Sequence, residues 1–245
     1  MEPLPSRPGT AQVDLEGFCI ATWMMAPDRV LPFLPPRLAP RTTMGCVPRA
    51  LVSAVAFRDL HLRPEWWPGP GGLCCWQVNY RIYAIDRATG RDVVWFLATA
   101  IGSRWGWIPR TLWGMPWHPV RFTGSLEGGS VSLRCADPDF ACDLSVTSGA
   151  PLVSVPGFAD IAEAQRILTD PQDGWFRRRD DVIARYRIHH PAIPLRGGTA
   201  QVCRFAFLES LGLVERGQAL HSLITCPSVR FRIQLPPAPV PDAPA

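Results

Sequence analysis

The chain contains no lysine: all 25 of its basic residues are arginine. That absence excludes several chemistries together. No side chain here can form an imine with a carbonyl substrate, hold pyridoxal phosphate, or serve as a P-loop lysine. The sequence also lacks a C-x-x-C pair, an H-E-x-x-H helix, a G-x-S-x-G elbow and a dinucleotide fingerprint, so no metal or cofactor is expected. Its longest apolar stretch, residues 93–101, is far short of the ~20 residues that span a bilayer as a helix. The first fourteen residues are polar and proline-containing, without the charged and apolar regions of a secretory signal. The net charge of +4 is modest. Its arginines are scattered except for Arg177-Arg178-Arg179, which Asp180-Asp181 follow at once, and no basic stripe interleaved with aromatics suggests nucleic acid. These gaps leave the expectation of a soluble, cytoplasmic protein with no membrane or nucleic-acid partner. A homo-oligomer stays open.

What is present suits a folded globule. Of 245 residues, 47% are hydrophobic and 10% aromatic, enough for a sizeable core. The eight cysteines fall partly within apolar, strand-like runs. Without a secretory signal they read as reduced and buried.

Strand patterns dominate. Residues 18–25, 47–62, 76–85, 93–101, 131–135 and 140–146 are apolar or alternating, and the pairs 76–85/93–101 and 131–135/140–146 flank turn-forming sequences. The last strand alternates cleanly: Val229, Phe231, Ile233 and Leu235 against Arg230, Arg232 and Gln234. Helices look few. Residues 27–34 carry Pro27 at their start and Pro35-Pro36 beyond their end, residues 159–168 have helical apolar spacing, and residues 105–113 form a short helix or an irregular turn. With no βαβ rhythm, the pattern predicts a mostly β chain, an antiparallel closed or partly open barrel in one domain over residues 1–235. The tail, residues 236–245, has five prolines and is expected to be disordered.

The order of several stretches resembles that of a bacterial family of unknown function within the acetoacetate decarboxylase-like superfamily. They are Leu31-Pro32-Phe33-Leu34-Pro35-Pro36, Val55-Ala56-Phe57-Arg58, Val78-Asn79-Tyr80-Arg81-Ile82-Tyr83, Trp95-Phe96-Leu97, Gly114-Met115-Pro116-Trp117-His118 and Ile188-His189-His190-Pro191. The resemblance covers roughly residues 18–235. It implies a small β barrel whose interior or mouth takes a small organic acid or carbonyl compound. Acetoacetate decarboxylases carry Gly-x-Pro-Lys-Lys at the fifth of these stretches. There the first lysine forms the Schiff base and the second lowers its pKa. The matching positions here are Trp117 and His118, so that mechanism does not carry over.

Candidate site residues follow from the place that remains. His118 titrates near neutrality and can move a proton without a covalent intermediate, although a half-buried histidine bonded to a carbonyl is the plain alternative. On residues 76–85 one face carries Gln77, Asn79, Arg81 and Tyr83. If it lines the cavity, Arg81 clamps a carboxylate or an enolate oxygen, with Asn79 and Tyr83 orienting; otherwise it is an ordinary sheet surface. Arg58 and Asp59 lie beside a loop with Trp66 and Trp67, which reads as a surface ion pair or as a lid closing over a ligand. His189 and His190, adjacent on an extended segment, point to opposite faces and suit turn packing better than metal binding. The expected activity is non-covalent acid/base and oxyanion catalysis on a carbonyl, organic-acid or polyketide-like compound: an isomerase, cyclase, dehydratase or non-imine decarboxylase. A non-catalytic ligand-binding protein on the same fold is the alternative.

Overall fold

A computed structural model describes residues 9–43, 47–67, 69 and 71–240. Four strands run in sequence order along one wall: β1 (Thr10–Met25), β3 (Ala50–Pro64), β4 (Leu73–Asp86) and β5 (Asp92–Ile101), each antiparallel to the last. The short β2 (Leu38–Pro40) pairs with β4. Beyond β5 come β10 (Asp173–Arg177), which pairs with it in parallel, then β11 (Ile183–His189). β13 (Ser222–Gln234) pairs with both β11 and β1. The sheet therefore closes on itself as β1-β3-β4-β5-β10-β11-β13. The barrel expectation holds, with parallel contacts at β5 that alternation alone does not reveal.

A second layer grows from β13. β12 (Arg196–Phe205), β9 (Cys142–Pro151), β8 (Ser130–Cys135) and β7 (Phe122–Glu127) continue the sheet in that order. They fold back on the outer wall with a short helix, α4 (Ala206–Ser210). Two cores result. Outside the barrel, Tyr80, Val78 and Trp95 pack with Leu133, Leu144, Phe140 and Phe205, and the rings of Tyr80 and Phe207 lie 4.8 Å apart. Inside it, Val13, Leu15, Phe18, Val55, Phe57, Phe96 and Tyr186 form the other. A strand covered on both faces must be apolar on both, which explains the unbroken run of β5: Trp95 faces the outer core and Phe96 the inner one.

One glycine sets which residues of β1 face inward. Gly17 has φ 59°, a region L side chains rarely adopt, where the β1/β3 register slips between Glu16 and Cys19. This bulge places both Leu15 and Phe18, three residues apart, in the inner core.

The helices are as few as expected. α1 (Pro27–Val30) runs on into a 3-10 turn, Leu31–Phe33; a 3-10 turn, Arg104–Gly106, leads into α2 (Trp107–Trp113). α3 (Ile161–Leu168) starts on Asp160, whose Oδ1 accepts from Glu163 N at 2.7 Å while Glu163 Oε2 accepts from Ala159 N at 2.7 Å. This reciprocal cap stabilises the helix by about 1 kcal/mol. The β5 pattern suggests α3 as a cover for the barrel's outside, but Ile167 and Leu168 join Phe96 in the inner core. The helix plugs one end of the barrel instead, its Leu168 carbonyl reaching the Arg81 guanidinium. The tail also departs from expectation where it is described: β14 (Ala238–Pro239) pairs with β11, and Val240 packs on the outer core. Residues 241–245 lie outside the described residues. Seven cysteines are free, five of them buried, and Cys46 is outside the described residues. Among the described residues no helix is long and apolar enough to cross a membrane.

Candidate active site in the barrel interior

The polar face of β4 points into the barrel. Gln77, Asn79 and Arg81 line a hollow of about 440 Å³, together with Val55, Phe57, Asp59, Phe96 and Phe231. Tyr83 is buried in the same inner core. The solvent-facing alternative for this row is thereby excluded.

Asn79 is fixed from two sides: its Oδ1 accepts from Gln77 Nε2 at 2.9 Å and from Thr99 Oγ1 at 2.8 Å. Both bonds use the amide oxygen, which leaves the amide NH2 as a donor to whatever occupies the hollow. Arg81 is anchored at its base. Nε donates to Ser53 Oγ at 3.0 Å, and Nη2 donates to Tyr83 OH at 2.9 Å and Leu168 O at 3.0 Å. The guanidinium also lies 5.1 Å from the Tyr83 ring centre. All of these acceptors are neutral, and no ion pair joins Arg81 to a carboxylate among the described residues. A fixed cation in a largely apolar chamber, with no carboxylate bonded to it, is suited to an anionic ligand.

Asp59 is the acid that sequence reading missed. It is 3% exposed and lines the hollow. Cys75 Sγ donates to its Oδ2 at 3.7 Å. Burial away from any cation pushes the carboxyl up to about 7, against an ordinary 3.8. Its neighbour Arg58 is exposed and faces outward beside Trp76. The adjacent charges therefore form no surface pair, and Arg58 leaves the set of ligand-binding candidates. The signal was available in the alternation Val55, Phe57, Asp59, which puts the acid on the apolar, inward face.

His118 is not in the chamber. β6 (Trp117–Pro119) runs parallel to β5, with Thr99 opposite Trp117 and Ala100 opposite His118. Thr99 bonds Asn79 inside, so Trp117 points in and lines the hollow. Ala100 belongs to the outer core, and His118 accordingly packs against Phe140 there, with tilted rings 4.7 Å apart. Arg110 Nη1 lies 3.3 Å from His118 Nδ1. Burial first and Arg110 second depress its pKa, but it shares no compartment with Arg81. The expected His118–Arg81 pairing is wrong for that reason.

The lid is also elsewhere. Trp66 and Trp67 are 66% and 49% exposed and contact each other rather than the hollow. The mouth is framed instead by Trp105, Ile108, Pro109 and Trp113, with Trp105 half exposed. His190 packs structurally: its ring stacks on Phe231 at 4.6 Å, and its nitrogens face Pro191 O and Thr169 O. Among the described residues no cluster of three His, Cys, Asp or Glu side chains is arranged to hold a metal.

The chamber lies within an acetoacetate decarboxylase-like fold. An acetoacetate decarboxylase-like enzyme from Sphingomonas wittichii RW1 superposes with TM-score 0.64 at 16% identity, covering 96% of this chain and 94% of its own. Acetoacetate decarboxylase from Legionella pneumophila subsp. pneumophila str. Philadelphia 1 gives 0.61 at 12% identity, over 98% and 91%. The enduracididine biosynthesis enzyme MppR, complexed with pyruvate, gives 0.61 at 12% identity, over 96% and 92%. At these identities the likeness establishes the fold. Residues 12–230 match the DUF2071 family, described as "Uncharacterized conserved protein (COG2071)", and the chain belongs to it. Among curated proteins none matches the sequence.

Proposed function

We propose that the barrel interior binds an organic acid through its carboxylate at Arg81, and that the chain is an enzyme moving a proton on a carbonyl compound of that class without a cofactor. The observation that carries this reading is the guanidinium held inside the barrel by neutral partners alone. Asn79 supplies a donor and Tyr83 positions Arg81. Asp59, with its carboxyl near 7, is poised to give or take a proton at physiological pH, in a hollow that His118 does not line. MppR of the same fold is complexed with pyruvate and with the condensation product of pyruvate and imidazole 4-carboxaldehyde, which supports a keto-acid-like ligand. Trp117 stands inside at the position matching the Schiff-base lysine. It favours chemistry without an imine and equally suits the second reading, a ligand-binding protein that turns nothing over.

Trp105, Trp113 and Trp117 line the hollow, so their fluorescence reports occupancy. Keto acids should quench it, and their neutral amides should do so far less. Arg81→Met should weaken acid binding roughly 10- to 100-fold, the worth of a hydrogen bond to a charged group. Equal binding of acids and amides would refute the anion site. Product formation from a bound keto acid separates enzyme from binder.

A further inference from the structure

Building on the reading of the hollow as an anion site, we propose that its substrate class is a long amphiphilic acid rather than a pyruvate-sized one. Its carboxylate lies at the closed end, its apolar body runs along the barrel, and its reactive carbonyl sits towards the mouth.

Two groups of opposite character set the length. Arg81 sits opposite Ser53 in the β3/β4 register and bonds to it, at the end plugged by Leu168 of α3. Asp59 sits opposite Cys75, six residues further along β3 and nearer the mouth at Pro64 and Leu73. At ~3.3 Å per residue that is roughly 20 Å of strand. Side chains leaning towards each other shorten the gap but do not close it. A pyruvate-sized acid held at one group cannot touch the other.

The wall between them selects the body of the ligand. Leu15, Phe18, Val55, Phe57, Phe96 and Phe231 face the space, while Gln77 and Asn79 supply its amide groups. Gln77 and the oxygen of Asn79 are already tied to each other. Such a surface rewards apolar contact and offers little to a polyhydroxylated or multiply charged body. The volume, about 440 Å³, lies within the ~300–1,000 Å³ typical of pockets for ligands of many atoms. The mouth is framed by the apolar Trp105, Ile108 and Trp113, with the charged Arg63 beside Pro64 at its edge.

The test is a series of straight-chain carboxylic acids, from butyric to dodecanoic below their micelle concentrations, titrated against tryptophan fluorescence. The matching primary alcohols run alongside. Affinity should tighten roughly fourfold per added methylene until the chamber is filled, then level off. Each acid should bind more tightly than its alcohol. Trp105→Ala, a change at a half-exposed side chain that the fold tolerates, should weaken the longest acids about tenfold and butyrate less than twofold. Acids bound more tightly than alcohols but with no gain from chain length would overturn the substrate class and leave the anion site standing. Acids and alcohols bound alike would remove the anion site and this inference with it. No binding by any member of the series would do the same.

Discussion

Replacing Asp59 by asparagine should make the protein more stable and inactive. The carboxyl is buried with only a thiol for company, and folding raises it from an ordinary 3.8 to about 7. Below about pH 4 both folded and unfolded chains carry the proton, so burial costs nothing electrostatically. As pH rises from 4 to 7 the unfolded chain gives up its proton while the folded one keeps it. The unfolded state then binds fewer protons, and stability falls through this window. Above 7 the full penalty is present, about 4 kcal/mol for a displacement from 3.8 to about 7. Asparagine carries no such penalty. Its amide needs a partner that Cys75 does not fully provide, which takes off an estimated ~1–2 kcal/mol. The variant should thus fall about 1–2 kcal/mol below wild type near pH 4 and exceed it by about 2–3 kcal/mol at pH 8, measured by urea denaturation across pH. Turnover should fall at least ~100-fold, the worth of a positioned acid or base. In wild type, kcat/KM should change through about pH 7, rising if Asp59 acts as base and falling if it acts as acid. Parallel stability curves for the two proteins, or a kcat/KM profile flat through 7, would refute the assignment.

Two other substitutions test the division between compartments. His118→Ala should leave turnover within about threefold of wild type and cost on the order of 1 kcal/mol through its lost contact with Phe140, read from rates and denaturation together; a hundredfold loss of rate would return His118 to the site. Tyr80 OH is buried in the outer core with no hydrogen-bond partner, so Tyr80→Phe should raise stability by about 1 kcal/mol without altering kcat or KM.

Much of the barrel is written plainly in the chain, because strands that must be covered on both faces carry runs such as residues 93–101 that no exposed strand sustains. The closure through β11 and β13 is not, since a ring depends on contacts between segments more than forty residues apart and the joining registers, Ile188 with Ile233 and His189 with Arg232, leave no local pattern. Nor is β12, whose glycines and small polar residues alternate weakly although it pairs with β13 on one side and β9 on the other.

The candidate site shows more sharply where reading by residue succeeds and fails. The period of two on β4 separates Gln77, Asn79, Arg81 and Tyr83 from Val78, Tyr80 and Ile82 without ambiguity. It does not say which set faces the chamber, because both sides of this strand are buried and the outer core even accepts a tyrosine hydroxyl. The deciding clue lies on the neighbouring strand: β3 presents Val55, Phe57 and Asp59 on one side, and a register that opposes Val55 to Asn79 and Phe57 to Gln77 puts all of them inside together. The same rule that sends His189 and His190 to opposite faces separates Trp117 from His118. A match by position therefore finds the right strand, but the reacting face depends on a single residue of offset. Where a lysine would enter the chamber an indole now stands, and the histidine beside it looks away. On the proposed reading the proton chemistry comes from another strand, and β3 offers Asp59, a carboxyl that alternation alone places among apolar side chains. A charge at such a position costs stability that packing does not return. That cost is itself the argument that the residue is kept for what it does to a ligand.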